Sequence, residues 1–106
     1  MSTPSIEDVR KRFIATPGKP FDLSSRDSGD RDLFPDKKHA RKSLKSDAGA
    51  IDELQDLLYA TREKALLIVL QGMDTSGKSG VIRNVFAQTS PLGMKVKAFK
   101  APTRIE

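Results

Sequence analysis

The sequence contains no cysteine and no tryptophan, and aromatic residues make up only 6% of its 106 positions. Lack of cysteine excludes a disulfide scaffold and a zinc–thiolate site, and it fits a reducing compartment. Long apolar runs are missing as well. The longest, Ala65–Leu70, has six residues, against the roughly 20 that a bilayer span requires. Positions 1–9 hold no cationic stretch leading into an apolar one, so no secretory signal is read there. What remains is 37% hydrophobic and 31% charged, too apolar for full disorder and long enough for one small domain. A cytoplasmic protein without a membrane partner is the expectation.

Charge is unevenly spread. Residues 1–50 carry 11 Lys/Arg against 8 Asp/Glu, residues 51–64 carry 2 against 4, and residues 65–106 carry 6 against 2. Part of the positive excess therefore falls in the most apolar part of the chain, where a phosphorylated ligand is a sensible partner.

Ser5 and Asp8 have capping-box spacing, and Ile6, Val9 and Phe13 then share one helical face, which predicts a helix over 5–14. Arg10, Lys11 and Arg12 point elsewhere, so the stripe is expected to dock on the domain as a surface helix. Residues 16–35 hold Pro17, Gly18, Pro20 and a polar cluster at 24–32, and read as an irregular arm anchored by Phe21, Leu23, Leu33 and Phe34. From Pro35, the residues Ala40, Leu44, Ala48, Ile51, Leu54 and Leu58 recur at three- and four-residue steps to about Arg62. Gly49 leaves open whether this is one helix or two, with Asp47 as cap of the second. His39 beside Lys37 and Lys38 is read as exposed and carries no role.

Ala65–Leu70 shows no polar alternation and ends in a glycine-rich turn, the pattern of a strand covered on both faces. Residues 77–89 read as a helix with Val81, Ile82, Val85 and Phe86 on one face. Residues 94–99 alternate Met94, Val96 and Ala98 with Lys95 and Lys97, a second strand with a wet face. Strand, glycine loop, helix and strand make a βαβ unit, so the fold class expected is α/β with a parallel sheet. The division expected is an N-terminal helix and arm over 1–34, and the long helix with the βαβ unit over 35–106.

Gly72-Met73-Asp74-Thr75-Ser76-Gly77-Lys78-Ser79 matches G-x-x-x-x-G-K-[ST], the phosphate-binding P-loop. Gly72 and Gly77 permit backbone angles closed to other residues, so successive N–H groups turn inward on an anion. Lys78 supplies a point charge, the Ser79 hydroxyl is a Mg²⁺ ligand in this motif, and the following helix adds the positive end of its dipole.

The run Leu70–Gly80, together with Phe99-Lys100-Ala101-Pro102-Thr103, closely resembles the polyphosphate kinase 2 family. Pro17-Gly18-Lys19, Leu54-Gln55-Asp56-Leu57-Leu58-Tyr59-Ala60 and Leu66–Leu70 also look like the N-terminal half of that family. The resemblance runs from about Phe13 to Thr103. It implies a P-loop kinase fold and phosphoryl transfer between inorganic polyphosphate and AMP or ADP, with Mg²⁺, no nucleic-acid partner and a homo-oligomer left open. Gly72, Met73, Thr75, Ser76, Gly77, Lys78, Ser79 and Gly80 fall on the phosphate loop. Asp74 matches an acidic residue that positions metal or an attacking phosphate oxygen, a loop-closing hydrogen bond being the alternative. Ser79 stands where many members have a small or acidic residue, so its metal role rests on the general motif. Arg83 and Lys100 match basic positions near the polyphosphate path, with solvated surface charge as the rival reading. A second acidic loop and an arginine-bearing lid have no counterpart in these residues, and the two strands lack the partner that related kinases place between them. The 106 residues alone are therefore expected to fold poorly and to be inactive. Two further readings stay open: an ATP-using P-loop kinase of small metabolites, and a non-catalytic polyanion binder.

Overall fold

A computed structural model of the protein describes residues 3–101 and 104. Pro102, Thr103, Ile105 and Glu106 lie outside them. The chain divides into two compact units, Met1–Ser43 and Leu44–Glu106.

In the first unit, helix α1 spans Ile6–Phe13 and begins as the capping-box spacing requires. Ser5 Oγ accepts the Asp8 N–H at 3.1 Å, and the Ser5 N–H donates to Asp8 Oδ2 at 3.1 Å. Each bond satisfies an amide that the first helical turn cannot pair. Glu7 and Asp8 at the start and Arg10, Lys11 and Arg12 at the end oppose the helix dipole favourably. Ile6 is 75% exposed, and Val9 and Phe13 are exposed as well.

The arm after α1 is held by charge rather than by an apolar core. Arg12 makes a two-pronged ion pair with Asp30, Nε to Oδ2 at 2.8 Å and a second bond from Nη2 to Oδ1. Arg26 donates to the Arg12 carbonyl and lies 5.3 Å over the Phe21 ring. The Arg12 pair holds the Asp30 carboxyl below the usual carboxylate range. Asp22 caps a short 3-10 turn, Leu23–Ser25, by accepting the Ser24 N–H at 2.9 Å.

Helix α2 runs unbroken over Lys37–Thr61, which settles the question of one helix or two. Asp36 Oδ1 accepts the His39 N–H at 2.8 Å and so caps it. A methyl group at Gly49 would sit 3.7 Å from Gln88 Oε1, an ordinary contact, and the Gln88 amide donates to the Lys45 carbonyl at 3.5 Å. Further along, a side chain at Gly93 would collide with the Gln55 amide and meet the Tyr59 ring at 3.3 Å. The segment after α3, with its 3-10 turn Pro91–Gly93, is thus laid on α2 within the second unit. Ala48, 3% exposed, is the one buried residue among those described. The helix stops after Thr61, where Arg62 takes a left-handed φ of 54°.

The expected parallel sheet is not formed. No strand is present among the described residues, and the architecture there is helical. Residues 65–70 and 94–99 form no strand, and apart from the Met94 N–H donating to the Pro91 carbonyl at 3.4 Å no backbone hydrogen bond joins either run to another segment among the described residues. Leu67 is 85% exposed and Phe99 is 86% exposed. The reason is that apolar, β-branched residues favour an extended backbone, while a strand also needs a neighbour to take its N–H and C=O groups. Helix α3, Lys78–Val85, is present but ends four residues before the predicted limit at Thr89, with Phe86 as its C-cap.

Candidate functional site

Residues 72–80 form a tight loop that opens directly into α3. Its turn is closed by the Ser76 N–H donating to the Met73 carbonyl at 3.1 Å. Two residues adopt left-handed backbone angles, Thr75 with φ 63° and Gly77 with φ 97°. At Gly77 glycine removes the steric cost. Thr75 is β-branched and carries strain of about 1–3 kcal/mol. Nothing in the residue type announces that strain, and Thr75 joins Gly77 as a position of left-handed backbone in this loop.

Gly72 serves a different end from the one expected. Its φ is not positive, but a Cβ there would come within 2.5 Å of Ser76 Oγ. It is the smallness of glycine, rather than its conformational freedom, that lets the loop fold back on itself. Lys78, half-buried at the start of α3, reaches back over the loop and donates through Nζ to the Gly72 carbonyl and, at 3.0 Å, to the Met73 carbonyl.

The N-terminus of α3 has no side-chain cap. Val81 N–H bonds the Gly77 carbonyl at 2.9 Å, and the preceding amides of Lys78, Ser79 and Gly80 bond no described residue. Open amides, the helix dipole and a neighbouring ammonium make a place where negative charge is stabilised. A cleft of about 300 Å³ lies there, lined by Asp74, Thr75, Ser76, Gly77, Lys78, Ser79 and Gly80.

Seven of the residues singled out from sequence therefore meet at one cleft. Gly72 and Met73 support it from behind through the carbonyls that hold Lys78. Arg83, one turn further along α3, and Lys100 are exposed and do not line it. For a divalent cation the cleft offers the Asp74 carboxylate and the Ser79 hydroxyl. No cluster of three or more His, Cys, Asp or Glu side chains exists among the described residues. That sparse set fits Mg²⁺, which is commonly held by one or two carboxylates with substrate phosphates and water completing the shell.

A glycine loop opening into a helix with uncapped amides and a lysine beside them is an arrangement that stabilises negative charge. The family profile described as Polyphosphate kinase 2 (PPK2) matches residues 34–106, and the chain belongs to that family. It is 34% identical over 96 residues to an ADP-polyphosphate phosphotransferase of Rhodopseudomonas palustris, covering 91% of this chain and 33% of the relative. It is 37% identical over 97 residues to an AMP/ADP-polyphosphate phosphotransferase of Meiothermus ruber, covering 91% and 36%. An NDP-polyphosphate phosphotransferase 1 of Ruegeria pomeroyi is 36% identical over 75 residues, covering 71% and 24%. The chain thus spans about a third of the length of the first two relatives. No solved structure gives a significant match.

Proposed function

We propose that the protein transfers phosphoryl groups between inorganic polyphosphate and an adenine nucleotide, AMP or ADP, through a P-loop formed by residues 72–79. In the nucleotide-forming direction, the bond between the terminal phosphorus of polyphosphate and its bridging oxygen breaks. A new bond forms from that phosphorus to a terminal phosphate oxygen of the nucleotide, and the polymer leaves one unit shorter. The carrying observation is the cleft where Lys78 and the uncapped amides of α3 converge. The names of the relatives support the choice of substrates.

Phosphoryl transfer gains most of its rate from positioning and charge neutralisation. The amides of Lys78, Ser79 and Gly80 would hold phosphate oxygens in fixed directions. Lys78, poised on two loop carbonyls, exchanges those weaker acceptors for the charged oxygens of the substrate. Asp74 and Ser79 would hold Mg²⁺, which supplies further neutralisation of phosphate charge when bound. Arg83 and Lys100, outside the cleft, would act on the more distant part of the polyphosphate chain.

The test is to supply the protein, as the cell makes it, with polyphosphate and AMP or ADP and to follow the new nucleotide phosphate. Lys78→Ala is expected to lower transfer by about a hundred- to a thousandfold, the scale of losing one preorganised electrostatic donor, with helix content unchanged by circular dichroism. Product formed only with ATP as donor would favour a metabolite kinase instead, and a loss under about tenfold would remove Lys78 from its assigned place.

A further inference from the structure

Within the second unit, the covered stripe of α2 is apolar except at one place. Leu44, Ala48, Ile51 and Leu58 keep its three- and four-residue steps, and Gln55 stands among them where the period calls for an apolar side chain. Gln55 Oε1 is buried and accepts no hydrogen bond among the described residues. A buried acceptor left without a donor costs stability, and an apolar side chain of the same length would avoid that cost. The nitrogen of the amide is the part in use: Nε2 donates to the Ser90 carbonyl at 3.4 Å.

Ser90 is tied to α3 by short-range bonds. The carbonyl of Phe86, the C-cap of α3, accepts the Thr89 N–H at 3.2 Å and the Thr89 hydroxyl at 2.7 Å. The Ser90 carbonyl also accepts the Gly93 N–H at 3.3 Å, which closes the 3-10 turn. Gly93 completes the seat, because a side chain there would collide with the Gln55 amide. A second amide joins the same segment to α2, from Gln88 Nε2 to the Lys45 carbonyl at 3.5 Å. The opposite end of α3 carries the open amides of Lys78, Ser79 and Gly80 beside the cleft. With eight residues, α3 is about 12 Å long at 1.5 Å per residue. A rigid element this short passes a slip at its C-terminal anchor on to the amides at its other end.

We infer that Gln55 is a positioning residue for the glycine-loop cleft: it holds the turn after α3 in one register on α2 and so aims the α3 amides. The reaction it serves rests on the proposed function. Apolar burial is non-directional and lets a turn slide along a helix, whereas a hydrogen bond to one carbonyl fixes the register. A single polar group in an apolar helix seam has this use elsewhere, at a cost in stability. Gln55 does not line the cleft, so its influence on phosphate passes through α3.

The experiment introduces Gln55→Met into the protein as the cell makes it. Methionine keeps the length and helix propensity of the side chain and removes the donor together with the unpaired acceptor. The thermal midpoint is expected to equal or exceed that of the parent. In the same variant kcat for transfer from polyphosphate falls about tenfold while KM stays within about twofold, the mark of misplacement rather than lost contact. The amide NMR resonances of Lys78, Ser79 and Gly80 shift as well, although the substitution lies outside the cleft. A side chain that merely fills the seam would lower the midpoint and leave kcat and those resonances alone. Gln55→Ala and Gly93→Ala break one shared contact, so the double variant is expected to lose no more transfer than the worse of the two single variants. A lowered midpoint, an unchanged kcat, unshifted amides at residues 78–80 or additive losses in the pair would each overturn the assignment. If the parent itself transfers no phosphate from polyphosphate, the proposed function fails. The midpoint and the amide shifts then still decide the role of Gln55 in aiming α3.

Discussion

Helices α1 and α3 have the same length, eight residues each, and begin in opposite ways. The N-terminus of α1 is closed by its own side chains, with Ser5 and Asp8 satisfying each other's amides. That of α3 starts from a left-handed glycine with no side-chain cap and no acidic residue in the first turn. A side-chain carboxylate at such an end satisfies the amides and the dipole internally, and leaves nothing for a ligand. Omitting it costs the helix some stability but keeps three amides directed at a neighbouring cleft. The first helix end is closed by its own side chains, and the second leaves its amides open.

The contrast can be tested from both sides. The largest effect is expected at Gly77, where a φ of 97° suits only glycine without strain. Gly77→Val would cost about 1–2 kcal/mol locally. It would displace the amides enough to lower phosphoryl transfer about a hundredfold, a scale typical of ångström misplacement. Steady-state kinetics with polyphosphate reads this directly, and near-normal transfer would mean that the loop angle does not aim the α3 amides.

A smaller and different change is expected at the other helix. Ser5→Ala removes the cap of α1 and should speed amide hydrogen exchange at residues 9–13 about fivefold, while transfer activity stays within about twofold. If transfer fell together with protection, the two helix ends would not be separate in function.

The smallest effect is one of pH. The hydrogen bonds from Ser5 hold the Asp8 carboxyl below its ordinary value, chiefly the side-chain bond and then the backbone one. A carboxyl depressed in the folded state contributes stability that is fully present above its unfolded pKa of about 3.9. That contribution is lost as pH falls through the lower folded value. Exchange in α1 should therefore quicken as the solution is taken below about pH 4, whereas the start of α3, with no acid in its first turn, has no matching carboxylate to lose. NMR-detected exchange resolved by residue distinguishes the two.

Much of this was legible in the amino acids because the interactions are short in range. Ser5 and Asp8 are separated by three positions, so a reader of spacing finds them, whereas Asp36 with His39 and Gly72 with Ser76 became visible only in the structure. The glycine loop and its lysine were found for the same reason, although the structural use of Gly72 was misjudged and the left-handed Thr75 gave no signal. Gly49 looked like a break in α2 because glycine is a poor helix former. In the structure the helix continues through it, since one glycine inside a helix costs only about 1 kcal/mol against alanine.

The sequence by itself determined the capped start of α1 and where the glycine loop lies, since backbone preference and neighbouring side chains are enough to set these. Only the tertiary structure decided that Ala65–Leu70 and residues 94–99 form no ladder among the described residues, and that α2 passes through Gly49 unbroken. The physical reason is that a helix closes its hydrogen bonds within four residues, whereas a strand depends on a partner that its own residues cannot supply.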